Sequence, residues 1–424
     1  MLLRFGRLSD IGRPVAAIIR RGQPAPAIAL WHRRRAWAGF MQSKSVKEEK
    51  TSPPFLMGQL YLPEEHPLPS EVRQRFQCLR PAWRFSPKDY PVPRLLVRSP
   101  NWVGDAIMSL PVLSGLRKLF PQAEITVLAA RRVAALFQEF PGVSEVVPYP
   151  VNRGKWQVLW RLRGRFDLAL ILPNSLESAL GLWLVGVPVR VGYAADARRP
   201  LLNLTVDGRR FLTGLHQVYY YLGLLRALAE IGAFTPPTLY LGDLETAEAA
   251  RLLAEAAPGD GPWVGLSPGA TYGPAKRWPP EQFAALGLEL VKEFGARLVL
   301  LGNRQEAPVA QLVKERLGLP VLNLVGKTDL RQALAILSRL KLLITNDSGL
   351  MHAAAALQVP LVAVFGSTDP AATGPFSPKA TVLRHPLPCS PCWQRTCDLG
   401  YACLTAIKVE EVLAAARTWL EVAP

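Results

Sequence analysis

The strongest constraint on the fold is a repeated passage from a short apolar run, through a turn containing Gly, Pro or Asn, into a segment with helical periodicity. Between residues 94 and 240 the apolar runs include RLLVRS, EITVLAA and FDLALILP, and later runs include WVGLSPG, ARLVLLGN, KLLITND and PLVAVFG. Short Leu- and Val-rich strands that alternate with helices are typical of parallel α/β sheets. The chain of 424 residues is long enough for two such domains, so we predict two Rossmann-like α/β domains.

A carboxylate lies at the first of these strand-to-helix junctions. Residues 101–111, NWVGDAIMSLP, follow the strand RLLVRS and begin a segment with helical spacing of its apolar residues. Ligands of parallel α/β sheets bind outside the carboxyl ends of the strands. Asp105 is therefore a candidate general base, and the alternative is that it only caps the helix start.

Two later junctions carry groups suited to an anion. Residues 261–283 contain a Gly- and Pro-rich loop with Lys276 and Arg277, and residues 341–357 contain the turn NDSG before an Ala-rich helix. Lys276 would act as a point charge on a diphosphate, and backbone N–H groups at such a helix start form an anion site. The alternatives are an ordinary solvated basic pair and simple helix capping.

Together, NWVGDAIMSLP, SPGATYGPAKRWP and TNDSGLMHAAAAL resemble the motifs of the ADP-heptose:lipopolysaccharide heptosyltransferases, glycosyltransferase family 9. The resemblance runs from about Arg94 to the C-terminal helix. It implies the α/β GT-B fold, in which two Rossmann-like domains face each other across a cleft. The implied domains are an N-terminal acceptor domain at 94–240 and a C-terminal nucleotide-sugar domain at 241–424.

The resemblance also implies the reaction. We expect an inverting transfer of heptose from ADP-L-glycero-D-manno-heptose to the inner-core heptose of lipopolysaccharide, with heptosyl-Kdo2-lipid A as the acceptor and no cofactor required for catalysis. Asp105 is expected to take the proton of the acceptor hydroxyl. Lys276 is expected to stabilise the departing ADP, where negative charge grows, and Ser348 and Gly349 to offer backbone N–H groups to the phosphates.

Further contacts with the nucleotide-sugar are implied for Glu306, Thr328, Asp347 and His352. Glu306 matches a family position near the ribose, and Thr328 one near the adenine. Asp347 is expected to hold sugar hydroxyls or to cap the helix, because its charge is unfavourable beside a diphosphate. His352 is expected to contact phosphate or sugar. For Glu306 and His352 an ordinary structural role is the alternative.

A cysteine cluster departs from the plainest family pattern. Its members lie within the run CSPCWQRTCDLGYAC at 389–403, and they are Cys389, Cys392, Cys397 and Cys403. In a cytosolic protein such a cluster favours metal or reduced thiols over disulfides, and C-x2-C is a usual half of a zinc site. We therefore consider a structural zinc ion, reduced thiols and a redox-labile disulfide, each of which would organise a loop near the cleft.

The net charge of +17 is unevenly distributed, since residues 1–40 hold eight Arg and a single acid, Asp10. We predict that residues 1–93 are a basic, Pro-rich, poorly ordered extension. No apolar run is long enough to span a bilayer and no signal peptide is evident, so we expect a cytoplasmic protein. An anionic partner suits the charge. Because nucleic-acid-binding motifs are lacking, we expect peripheral contact with the inner membrane surface and no nucleic acid.

Other functions remain as alternatives. Within the family, the chain could use a different donor or acceptor, as the enzyme that adds the first heptose does. Outside it, the same fold could serve a non-catalytic sugar-nucleotide-binding protein or a nucleotide-sugar epimerase. The presence of both Asp105 and Lys276 argues against the binding protein, and an epimerase would not require an acceptor.

Overall fold

The computed structural model describes residues 64–81, 94–152, 154–207, 209–257 and 259–421. Most of the predicted extension, residues 1–63 and 82–93, lies outside this part. The strands are β1 (His66–Pro67), β2 (Arg80–Pro81), β3 (Arg94–Arg98), β4 (Glu124–Ala130), β5 (Val143–Tyr149), β6 (Leu168–Ile171), β7 (Val189–Tyr193), β8 (Leu204–Asp207), β9 (Ala233–Phe234), β10 (Trp263–Ser267), β11 (Arg297–Leu300), β12 (Leu322–Asn323), β13 (Leu342–Asn346), β14 (Leu361–Phe365) and β15 (Ala380–Arg384).

The α-helices occupy the connections between these strands and the C-terminal end of the described chain. They are α1 (Ser70–Gln77), α2 (Val103–Met108), α3 (Leu110–Leu119), α4 (Arg131–Ala134), α5 (Lys155–Arg161), α6 (Leu176–Leu184), α7 (Gln217–Leu222), α8 (Asp243–Ala256), α9 (Pro280–Phe294), α10 (Ala307–Leu317), α11 (Leu330–Leu337), α12 (Gly349–Ala356), α13 (Pro370–Thr373), α14 (Ala402–Thr405) and α15 (Val409–Leu420).

The first large sheet has the strand order β2-β8-β7-β6-β3-β4-β5, and its neighbouring strands are parallel except for β2 and β8. Strand β3, RLLVR, is apolar in its middle and buried there on both faces, as a central parallel strand should be. From β3 the chain moves to β4 and β5 on one side and then returns to β6 on the other. The crevice at such a switch point is where ligands of α/β sheets bind, and the loop after β3 borders it.

The second sheet repeats this arrangement with the order β12-β11-β10-β13-β14-β15, all parallel. Its switch point lies between β10 and β13. The loops that follow these two strands carry Lys276 and Asp347 respectively. The prediction of an α/β protein with two Rossmann-like domains facing across a cleft is confirmed.

Part of the predicted extension is folded. Residues 64–81 form β1, α1 and β2, and the side chains of Val72 and Phe76 on α1 are buried in the core of the first sheet. Arg75 also donates a hydrogen bond to the carbonyl of Thr213, 2.8 Å away. For these residues the expected poor order was wrong, because apolar side chains at 68, 72, 76 and 79 bury against the first domain.

The helix after β3 is interrupted. The helical spacing of apolar residues continues past Asp105, but α2 ends at Met108 and α3 starts at Leu110. Pro111 lacks an N–H group and its ring crowds the carbonyl four residues earlier, which explains the break. Among the described residues, none of the helices has the length and apolar character needed to cross a bilayer.

Candidate active site

Asp105 lies in the first turn of α2, immediately beyond the carboxyl end of β3. The N-cap residue of α2 is Trp102, so Asp105 does not act as the helix cap. Its Oδ1 instead accepts a hydrogen bond from the hydroxyl of Tyr221, 3.0 Å away on α7. The carboxylate is therefore positioned by a second helix, as a reactive group needs to be.

The surroundings of Asp105 make it a better base. Desolvation by burial raises the pKa of its carboxyl group, and the carboxylate of Asp347 adds to the rise. The Tyr221 hydrogen bond and the charge of Lys276 act in the opposite direction. Burial also raises the pKa of Tyr221 well above 10, so this phenol stays protonated and donates to Asp105. A carboxylate with a raised pKa in a cleft is a candidate general base.

Lys276 faces the same cleft from the second sheet. Its Nζ lies 2.5 Å from Oδ2 of Asp347, and the hydroxyl of Thr368 donates to that same oxygen over 2.6 Å. The Lys276 ammonium also lies 4.7 Å from the centre of the Tyr272 ring. Both partners of the ion pair are largely buried, so Lys276 is held by the carboxylate of Asp347, which Thr368 orients, and by the face of the Tyr272 ring.

Asn346, the last residue of β13, fixes the loop that carries Lys276. Its side-chain oxygen accepts a hydrogen bond from the backbone N–H of Trp278, 2.9 Å away, and its amide nitrogen donates to the carbonyls of Pro268 and Gly269. Asn346 is fully buried. It therefore connects the two loops at the switch point of the second sheet, a role that the sequence did not indicate.

The start of α12 meets the start of α2 across the two domains. Ser348 is the N-cap residue of α12, and its hydroxyl accepts from the N–H of Met351 at 3.4 Å. A Cβ on Gly349 would approach that of Val103 to 2.9 Å, so only glycine permits this contact. Of the two roles expected for Asp347, helix capping is wrong, since the cap is Ser348 and Asp347 pairs with Lys276, and contact with sugar hydroxyls stays a prediction.

His352 is buried where the two helices meet. A Cβ on Gly104 would lie 2.7 Å from Cδ2 of His352, so the imidazole packs against the residue next to Asp105. Burial lowers the pKa of His352 to about 4, and the ring is neutral at pH 7. It contributes no positive charge toward a phosphate and supports the contact between the domains.

Glu306 and Thr328 lie at the edge of the second sheet, in the segments that follow β11 and β12. Oε1 of Glu306 accepts from the hydroxyl of Thr271 at 3.1 Å, and Oε2 accepts from the N–H of Asn303 at 3.0 Å. Glu306 thus caps a short 3-10 turn and ties it to the loop that leads to Lys276. Thr328 is half-buried in the turn that leads into α11.

The loop at 389–403, which contains the four clustered cysteines, packs against the loop that carries Lys276. All four cysteines line one cavity of about 280 Å³, together with Ala275 and Ser367. The N–H of Ala275 donates to the carbonyl of Arg395 at 3.1 Å, and the Tyr272 hydroxyl donates to that of Trp393 at 2.5 Å. Burial, followed by the neighbouring thiols, raises the pKa of Cys403. Within the described part of the chain, no three His, Cys, Asp or Glu side chains are arranged to hold a metal ion.

Asp105 on the first α/β domain and the Lys276–Asp347 pair on the second thus face one cleft. The model of glycosyltransferase family 9 (heptosyltransferase) matches residues 156–402, which is more than half of the chain. The chain belongs to this family, and the resemblance that the three motifs indicated is confirmed.

Particular relatives extend the match beyond these residues. The chain is 34% identical over 310 residues to lipopolysaccharide heptosyltransferase 2 of Salmonella typhimurium, and this alignment covers 69% of this chain and 88% of the relative. The structure of the E. coli ADP-heptose lipopolysaccharide heptosyltransferase II is 31% identical with a TM-score of 0.65, covering 77% of this chain and 98% of that one. A family 9 glycosyltransferase from Veillonella parvula, at 24% identity and a TM-score of 0.70, covers 77% and 97% and shares the fold.

Proposed function

We propose that this enzyme transfers heptose from ADP-L-glycero-D-manno-heptose to the inner-core heptose of lipopolysaccharide, with heptosyl-Kdo2-lipid A as the acceptor. The observation that carries the proposal is the meeting of Asp105 and the Lys276–Asp347 pair at one cleft. Relatives named lipopolysaccharide heptosyltransferase 2 and similar to the chain at 34% identity support the choice of donor and acceptor. The acceptor binds the domain at 94–240, and the nucleotide-sugar binds the domain at 241–424.

The transfer is a single displacement at the anomeric carbon. Asp105 accepts the proton of the acceptor hydroxyl while the hydroxyl oxygen forms the new glycosidic bond. The bond from the anomeric carbon to the ADP oxygen breaks at the same time, so the anomeric centre is inverted and no covalent enzyme intermediate forms. The proton ends on Asp105 and the electron pair on ADP. This step uses neither a metal ion nor a cofactor.

Lys276 stabilises the charge that develops on the leaving ADP. An ammonium group has three donors, so Lys276 can remain paired with Asp347 while it donates to a phosphate oxygen. The backbone N–H groups of Ser348 and Gly349 at the start of α12 complete the diphosphate site. Because Asp347 and Thr368 hold Lys276 in place before the donor binds, little reorganisation accompanies bond breaking.

The remaining proposed contacts are with the nucleoside, the sugar and the inner membrane. Glu306 lies beside the ribose and Thr328 beside the adenine, while Asp347 positions Lys276 and can also meet a sugar hydroxyl. His352 contributes as a neutral ring near the sugar and phosphate. The enzyme works at the cytoplasmic face of the inner membrane, where it touches the bilayer peripherally to reach its lipid acceptor.

The function is tested by ADP release from the donor, with and without heptosyl-Kdo2-lipid A. We expect release that depends on this acceptor and on the transfer of one heptose. Release only with the acceptor that lacks heptose would assign the enzyme to the first transfer. Release with neither acceptor would contradict heptose transfer and favour a sugar-nucleotide-binding protein.

The pH dependence of turnover tests the environment of Asp105. The carboxylate must be ionised to act as a base, so kcat/KM falls as the pH drops through its raised pKa. Tyr221→Phe removes a hydrogen bond that lowers this pKa, and the acidic limb of the profile is expected to move to higher pH. Tyr219→Phe on the same helix is the matched control, since its ring packs against Phe234. If the acidic limb of the pH profile did not move in Tyr221→Phe, the assignment of Asp105 as the base would be contradicted.

We also propose that the four clustered cysteines bind one structural Zn²⁺. Four thiols around one cavity support this, although the side chains must turn toward a common centre to form tetrahedral ligation. Metal analysis of the purified full chain should give about one Zn²⁺ per chain. Cys392→Ser should lose it, and Cys78→Ser, on an exposed thiol, should keep it. Freely titratable thiols without bound metal would favour the reduced-thiol alternative.

A further inference from the structure

Two neighbouring helices of the first domain expose tryptophan side chains. Six of the fifteen exposed large apolar side chains among the described residues lie between residues 151 and 184. We call this set the tryptophan surface: Val151, Trp156, Trp160, Leu176, Trp183 and Leu184. Trp160 is 64% exposed, and Trp156 and Trp183 are each 49% exposed. Clustered exposed apolar side chains mark an interaction site more strongly than scattered ones do.

The two helices pack side by side, so their exposed residues belong to one surface. Leu159 of α5 packs on Gly181 of α6, where a Cβ would lie 3.1 Å from the leucine. Lys155 of α5 also forms an ion pair with Glu177 of α6. Trp156 and Trp160 are one turn apart and share a face of α5.

The edge of the tryptophan surface is basic. Arg161 and Arg163 are exposed and make no ion pair with a described residue. The guanidinium of Arg163 lies 4.9 Å from the centre of the Trp160 ring, which combines a cation with an aromatic group at one point. Tryptophan prefers the interface between hydrocarbon and headgroups, and arginine is attracted to anionic headgroups.

The tryptophan surface lies close to the cleft. Lys155 and Glu177 border a small recess that also contains Arg98, at the end of β3, and Tyr149. The hydroxyl of Tyr149 donates to the side chain of Asn101 at 2.8 Å, four residues before Asp105. This recess therefore links α5 and α6 to the loop that leads to Asp105.

We propose that the tryptophan surface docks the enzyme on an anionic phospholipid bilayer. Trp156, Trp160 and Trp183 enter the headgroup region, and Arg161 and Arg163 contact anionic headgroups. The inference rests on the proposed function in one respect, because a membrane-embedded acceptor explains why a docking surface adjoins the cleft. Charge complementarity and the tryptophan preference for bilayer interfaces favour a bilayer over a second protein.

Vesicle flotation of the full chain without substrates tests the docking. Wild type is expected to bind phosphatidylglycerol-containing vesicles more strongly than phosphatidylcholine vesicles, and less strongly at high salt. The triple variant Trp156→Ser/Trp160→Ser/Trp183→Ser should bind the anionic vesicles at least about tenfold more weakly. The matched control is Leu244→Ser/Leu252→Ser/Leu312→Ser, which removes three exposed apolar side chains from the second domain and should bind like wild type.

Activity separates this proposal from the proposed function. The triple variant should retain wild-type turnover with a water-soluble acceptor fragment and show a raised KM with vesicle-embedded acceptor. Failure of the wild type to bind vesicles would overturn the docking proposal. Wild-type binding by the triple variant would also overturn it, because the membrane contact would then lie elsewhere. A change of oligomeric state in the triple variant, measured by light scattering, would overturn it in favour of a contact between two copies.

Discussion

Asp105→Asn is expected to lower kcat by about 100- to 10,000-fold, the usual contribution of a general base. Asparagine keeps the size of the side chain and an oxygen that accepts the Tyr221 hydroxyl, but it cannot take the acceptor proton. Because the proposed diphosphate site belongs to the second domain, the affinity for ADP should be unchanged. Single-turnover kinetics and ADP titration calorimetry measure the two quantities separately.

The stability of this variant provides its control. Because burial raises the pKa of Asp105 in the folded state, its contribution to stability is full at pH below the unfolded pKa and is lost as the pH rises through the folded pKa. At pH 7 the ionised carboxylate therefore opposes folding, and Asp105→Asn should have a Tm at least equal to that of wild type. Normal turnover in a folded Asp105→Asn protein would contradict the base assignment, and a lowered Tm would contradict the electrostatic argument.

Lys276→Ala is expected to lower kcat by about 100- to 1,000-fold, as the removal of a donor to a developing negative charge does. It should also weaken ADP binding, because in the proposed mechanism the ammonium contacts the diphosphate before and during bond breaking. Among the described residues, the variant leaves the buried carboxylate of Asp347 with the Thr368 hydroxyl as its remaining hydrogen-bond partner. An unpaired buried charge destabilises a fold, so Lys276→Ala should also have a lowered Tm.

The double variant Lys276→Ala/Asp347→Asn distinguishes catalysis from folding. Removing the second charge should restore the Tm toward wild type, while turnover stays low because the cation is still missing. Asp347→Asn alone keeps the ammonium and should lose less activity than Lys276→Ala. If the double variant regained wild-type turnover, the lysine would serve only to neutralise Asp347, and the leaving-group role would be refuted.

Much of the site could be predicted from the sequence because its parts are local. Strand-to-helix junctions are marked by nearby residues, and Asp105, Lys276 and Ser348 each lie in the segment that connects a strand of the pattern to the next helix or in the first turn of that helix. Pro280 begins α9 and Gly295 ends it with a positive φ of 59°, as helix-capping preferences predict. The family and the two Rossmann-like domains could be predicted for the same reason, and the family match and the two sheets confirm them.

Other features were decided by contacts between distant parts of the chain. Tyr221 reaches Asp105 across 116 residues, and Asn346 holds Trp278 across 68. No local pattern distinguishes these side chains from other buried tyrosines and asparagines. The folded segment at 64–81 was missed because its few apolar residues are stabilised only by the domain on which they pack.

Short-range spacing and turn chemistry encode the alternation of strands and helices and the junctions that carry Asp105, Lys276 and Ser348, and the motifs at these junctions indicate the family. The pairing of Asp347 with Lys276, and the capping of α12 by Ser348 rather than Asp347, became visible only in the folded structure. Burial also raises the pKa of Asp105, and the packing of α5 against α6 leaves Trp156, Trp160 and Trp183 exposed on two neighbouring helices. These properties depend on burial and on distances between side chains far apart in the chain, which arise when the two domains fold and meet.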